Sequence, residues 1–167
     1  VRTYKSIGAF VEQIQRVTAI IRAAETAALD AAATLIERDA KATVGHYQAA
    51  SGPFQAWEEL HWATLYGGVS PSGFRYPGKI ELGYSPPDNP ELRTGALRDS
   101  ISHRTDGLSA VIGSTSMVMV YQELGTRYMS ARPILGMGAA HQGERAAKLI
   151  GKTLANTIAG RHPNSRL

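Results

Sequence analysis

YQELGTRYMSARPILGMGAA, residues 121–140, places a helix stop, an extended strip and a helix start within twenty positions. Upstream of the stop, Met117, Val120, Tyr121 and Leu124 recur at spacings of three, four and seven. Residues 116–124 therefore read as a helix ended by Gly125 in a left-handed conformation, although the β-branched content also suits a strand. Residues 126–132 read as extended, because the residue before a proline disfavours the helical basin. Pro133 then opens the last helix, where its missing N–H costs nothing. Ala146, Leu149, Ile150, Thr153, Leu154 and Ile158 form that helix's inward stripe, and Gly160 ends it. Each unusual residue in the stretch has a backbone task, so the connection is explained without chemistry.

Working outward, apolar residues from Ile7 to Leu35 keep a three-and-four spacing, which predicts a long amphipathic helix over residues 6–44 with Ser6 as N-cap and Gly45 as stop. At 1.5 Å per residue it would span roughly 57 Å, more than a compact domain of this size needs. The spacing thus implies that it packs on a neighbouring subunit or breaks near Ala32. Residues 54–66, FQAWEELHWATLY, read as a second short helix. The Gly/Pro-rich stretch 68–92 cannot be regular helix and reads as an arm ordered against another chain or as a flexible loop, with a short hairpin strand at Lys79–Tyr84. Thr94 caps a turn or two of helix through Leu97 and Ile101. SISHRT and LSAVIGS then form a hairpin about Asp106-Gly107, a turn that needs residues tolerant of positive φ. The expected fold is α+β, a single domain over residues 1–167, with a long N-terminal helix, a small antiparallel hairpin and a C-terminal helix packed on the sheet.

The chain has 167 residues and no cysteine, which excludes thiol catalysis, disulfides and thiolate metal sites. No apolar run reaches the ~18 residues of a membrane span and no secretory leader is visible, so the chain reads as soluble and unsecreted. The net charge of +4 is unevenly spread: −3 over residues 51–92 and +6 over residues 93–167. Arg145, Lys148 and Lys152 fall on one side of the last helix, with Arg161 beyond, a stripe that suits either water or loosely held phosphates.

Fragments that invite an enzyme fail on spacing. Gly151-Lys152-Thr153 copies the end of a phosphate loop, but Ala146 stands where the leading glycine is required. Gly136-Met137-Gly138 lacks the preceding strand and third glycine of a dinucleotide site. Glu58, Glu59 and His61 lack a second histidine one turn on, since position 65 is leucine. His103, His141 and His162 are scattered, and no serine elbow accompanies them. Glu123, beside Gly125 and near Arg127, is better suited to an ion pair or a helix-end hydrogen bond than to acid–base work. Recognition helices, zinc modules and aromatic stacking strips for nucleic acid are missing. No metal, cofactor or catalytic residue is expected.

The order of blocks is more specific than any one block. PELRTGALRDSI, a hairpin, AVIGS, VYQELGT and ARPILGMGA together resemble the tail-completion, or neck, proteins of long-tailed bacteriophages, and are similar to the virion-morphogenesis family of contractile-tailed phages. The matching positions are Thr94, Gly95, Leu97 and Ser100, then Tyr121, Gly125 and Thr126, then Ala131, Arg132, Pro133 and Leu135. Gln122 and Ile134 depart from the alanine and phenylalanine common in the family. The resemblance covers residues 90 to about 160; residues 1–89 fit through the long helix and the tryptophan segment.

It implies a virion protein assembled in the host cytoplasm, with no catalysis. Such a subunit would form a ring, six-membered on this resemblance, at the neck or head-proximal tail end around the DNA channel, with neck proteins and tail terminator or tube proteins as neighbours. DNA would pass without sequence-specific binding, and no membrane is involved. Arg98, Tyr121, Glu123, Thr126, Arg127 and Arg132 are the expected interface residues; Thr94, Gly95, Leu97, Gly125, Pro133 and Leu135 are structural; Arg145, Lys148 and Lys152 would face the channel. A tail-terminator ring capping the tube, or a DNA-binding protein using the basic C-terminal face, are the alternative expectations.

Overall fold

The structure, a computed structural model, describes residues 3–84 and 88–160. The fold is α+β. Helix α1 runs Ile7–Thr43, α2 Trp62–Tyr66, α3 Ala96–Asp99, α4 Met117–Leu124 and α5 Leu135–Ile158; strands are β1 Gly67–Val69, β2 Arg75–Pro77, β3 Ile101–Asp106 and β4 Ser109–Ser114. β1 and β2 pair antiparallel with Gly68 opposite Tyr76, and β3 pairs with β4 in a separate two-stranded sheet.

Helix α1 begins as its sequence dictates. The Ser6 hydroxyl accepts from the Ala9 N–H at 3.1 Å, and Gly45 at φ 96° ends the helix. All 37 residues are continuous, so the helix does not break at Ala32 and extends about 55 Å. Alanine has the best helix propensity of all residues and leaves nothing to interrupt the backbone ladder.

The chain divides into two compact units. Among the described residues, one is built from those up to Leu35, the hairpin tip His103–Val111 and those from Gly143 to Gly160; the other from those within Ile36–Ser102 and Ile112–Gln142. In the first, Ala24, Ala28, Ala32 and Ala33 are buried, and Asp30 accepts from the Thr105 hydroxyl at 3.0 Å while His103 lies at 3.3 Å. Thr26 donates to the Gly107 carbonyl at the hairpin turn. In the second unit Ala40, Val44, Trp57, Ile101, Met119, Ile134 and Met137 form one core. There α5 meets α1 closely: a Cβ on Gly138 would stand 2.9 Å from the Ala40 nitrogen and 3.0 Å from the Ile36 carbonyl oxygen. Only a residue without a side chain allows that approach.

Several expectations need correction. Residues 54–61 are not helical. Ser51 and Phe54 close a tight turn through Gly52-Pro53, the Trp57 N–H bonds the Gln48 carbonyl, and Trp57 is buried in the core. Arg132 takes the carbonyls of Glu58 and Glu59, which a helix would have used internally. The segment 68–92 holds its own hairpin, but at β1–β2; Lys79–Tyr84 is instead a turn, with Leu82 N–H bonded to the Gly78 carbonyl and Tyr84 N–H to the Lys79 carbonyl. Residues 85–87 of that segment, and Arg161 and His162, lie outside the described residues. The helical turn after Thr94 ends at Asp99, and Ile101 already belongs to β3.

Candidate functional site: the α4–α5 connection and its outer face

Three devices set the geometry between α4 and α5. Gly125 has φ 69° and ψ −177°, which is not the left-handed helical stop expected from sequence but a region open to glycine alone. A Cβ there would also lie 2.8 Å from both the Met129 carbonyl oxygen and the Ala131 nitrogen. Next, residues 126–129 form a tight turn rather than the start of an extended strip: Thr126 and Met129 exchange backbone hydrogen bonds, and the Thr126 hydroxyl accepts from the Tyr128 N–H. That local hydroxyl bond competes successfully with extension.

The third device is Glu123. Its carboxylate accepts from the backbone N–H groups of Ile134, at 2.7 Å, and of Leu135 and Gly136. These are unpaired donors of the first turn of α5, and a negative charge there also meets the positive end of the helix dipole. The helix-end role anticipated for Glu123 is thus realised on the following helix, eleven residues away. Because the Ile134 carbonyl accepts the first bond of α5 from Gly138, Ile134 is the N-cap and Pro133 stands just outside the helix rather than opening it.

Arg132 is also internal. The residue is 8 % exposed; its backbone N–H donates to the Gln122 carbonyl at 2.7 Å, and its guanidinium reaches the Glu58 carbonyl at 3.0 Å and the Glu91 carboxylate at 3.3 Å. It ties the strip to residues 58–59 and 91 of its own unit, so the fixed contact expected at an interface lies within the subunit. Glu91 has a positive φ of 60°, and burial raises its pKa above the ordinary carboxylate range against the opposing pull of Arg132. Burial also lowers the pKa of Lys79, which donates to the Asn89 carbonyl. These residues line a cleft of about 980 Å³ shared with Gln122, Val118 and Tyr128. Among the described residues, no group of three His, Asp or Glu side chains is placed to hold a metal ion.

What the internal bonds leave outside is apolar. The stripe read from sequence on α4 has the helical period, but it faces solvent. Met119 and Gln122 are the buried residues, while Met117, Val120, Tyr121 and Leu124 are exposed, Leu124 at 77 %. Past the turn, Tyr128 is 82 % exposed with Arg127 stacked on its ring. Sequence periodicity located the stripe; it could not choose the face, because the Arg132 bond to the Gln122 carbonyl and the seat of Glu123 orient the helix.

The remaining candidates are distributed as follows. Arg98 is exposed and paired with Asp99 at 2.9 Å, and Thr126 is exposed at the tight turn. Thr94 accepts from the Ala96 N–H at 3.3 Å, Gly95 has φ 83°, and Leu97 and Leu135 pack on the core. On α5, Ala146 is buried, Leu149, Ile150, Thr153 and Leu154 are half-buried, and Ile158 is exposed, which removes it from the expected stripe. Arg145, Lys148 and Lys152 are exposed, Lys148 beside Glu144. His61 caps α2 by accepting from the Ala63 N–H, and His141 contacts Asp39. No protein-family model, curated protein or solved structure matches this chain.

Proposed function

We propose that this chain is a structural virion subunit of the neck or head-proximal tail end of a long-tailed phage, forming a ring that completes the tail and joins it to the head around the DNA channel. The observation that carries the reading is the solvent-facing apolar stripe of α4, Met117, Val120, Tyr121 and Leu124. Contiguous apolar surface of this kind on a rigid helix marks an interaction site rather than ordinary surface variation. The polar residues around it are committed to holding α4 and α5 in place, which is what a subunit needs to present one face at a fixed angle. A ring requires a heterologous contact whose rotation closes. The exposed Arg145, Lys148 and Lys152 support a diffuse positive field toward passing DNA.

Particles assembled without this protein test the reading. Separate filled heads and uncompleted tails should accumulate, and adding the purified chain should complete the tails and join them to the heads. Joined, infectious particles formed in its absence would contradict the proposal.

A further inference from the structure

From Ile7 onward, α1 keeps a strict seven-residue repeat: Ile7, Ile14, Ile21, Ala28 and Leu35 at one position, Phe10, Val17 and Ala24 at the other. Such a repeat keeps one seam facing a partner helix over many turns. The seam is covered at Ala24 and Ala28, which are buried, and half-covered at Ile21; before it the seam residues Ile7, Phe10, Ile14 and Val17 and the flanking Val11 and Ile20 are all 42–84 % exposed.

We infer that residues 7–20 of α1 pack against the same segment of a second copy of this chain. Three observations choose that occupant. The positions flanking the seam are Val11, Gln13, Thr18 and Ile20, all uncharged, so two copies meet without repulsion and no charge pattern selects a foreign helix. The charges on this stretch, Glu12 and Arg16, fall away from the seam. The six exposed side chains leave on the order of 500 Å² of apolar surface, and two copies would bury about 1,000 Å² together, the size at which a specific contact begins. By itself that is a weak contact, suited to adding to a second interface. The inference rests on the proposed self-assembly and names a surface separate from α4.

Hydrogen exchange of the full chain, followed by mass spectrometry across a concentration series, tests it. Amides of residues 7–20 should exchange at least tenfold more slowly in the assembled protein than in the dilute one. The pair Ile14→Asp and Val17→Asp should abolish that protection. Ile7→Asp, placed where a first-turn acid favours the helix, should reduce it without altering melting. Assembly with unchanged exchange over 7–20, or undiminished protection in the variants, would overturn this inference and leave the α4 reading intact. A chain that stays monomeric at every concentration would overturn both.

Discussion

Removing the Glu123 carboxylate tests the internal architecture that presents the α4 face. Three backbone donors at the start of α5 end on this one group, and Ile134, which carries one of them, is fully buried. A hydrogen bond to a charged group contributes about 1.5–3 kcal/mol, and a charge at a helix N-terminus up to about 2 kcal/mol when partly buried. These contributions overlap because a single carboxylate makes them, so Glu123→Ala should cost about 3–5 kcal/mol rather than their sum. Glu123→Gln keeps an acceptor but loses the charge, and should cost about 1–2 kcal/mol. Urea unfolding read by circular dichroism measures both. The Ala variant should melt roughly 10 °C or more below the parent. An Ala variant within about 0.5 kcal/mol of the parent, with an unchanged denaturant slope, would refute the reasoning, because it would mean that solvent serves those N–H groups equally well.

Gly125→Ala should destabilise by about 2–4 kcal/mol through positive φ and a Cβ pressed on backbone atoms; a neutral melting shift would remove the assignment. Gly138→Val should cost at least about 3 kcal/mol by forcing α5 off α1, whereas Gly143→Val, in open space, should cost about 1 kcal/mol or less. Arg132→Ala should lower stability by about 3–5 kcal/mol because it leaves Glu91 and two carbonyls without their donor, and a variant that unfolds normally but fails only in assembly would contradict its internal role. For Glu91, whose pKa rises on folding, the folded state binds the proton more tightly. Its contribution is therefore fully present below the ordinary glutamate value of 4.5 and is lost as pH rises through the folded pKa. The stability of the parent relative to Glu91→Gln should fall as pH climbs from about 4 to 7; a difference that grows with pH would show that the Arg132 attraction outweighs burial.

Much of the fold was legible because it is local. Ser6, Gly45, the three-and-four spacing of α1 and the Asp106-Gly107 turn each act through neighbours in sequence, and α1 and the β3–β4 hairpin follow from them. The misreadings arose where distant groups intervened. Residues 54–61 have a helical pattern, yet burial of Trp57 and the Arg132 guanidinium pull the backbone out of it. Glu123 and Arg132 were visible as unusual residues beside a glycine and a proline, but their partners lie eleven residues away in one case and about seventy in the other. The hairpin β1–β2 had a signal in Ser70-Pro71-Ser72-Gly73, where Ser70 accepts from the Phe74 N–H through its hydroxyl; the surrounding glycines and prolines masked it. The outer face of α4 was found as a stripe but could not be given a side for the same reason: periodicity fixes a face, and only tertiary bonds say what it faces.

Sedimentation equilibrium of the purified chain beside its Tyr121→Asp, Leu124→Asp double variant addresses the α4 surface without intermediaries. The account predicts a closed oligomer of defined mass for the parent and a monomer with the same melting temperature for the variant. A monomeric parent at all concentrations, or a variant that assembles as the parent does, would contradict it.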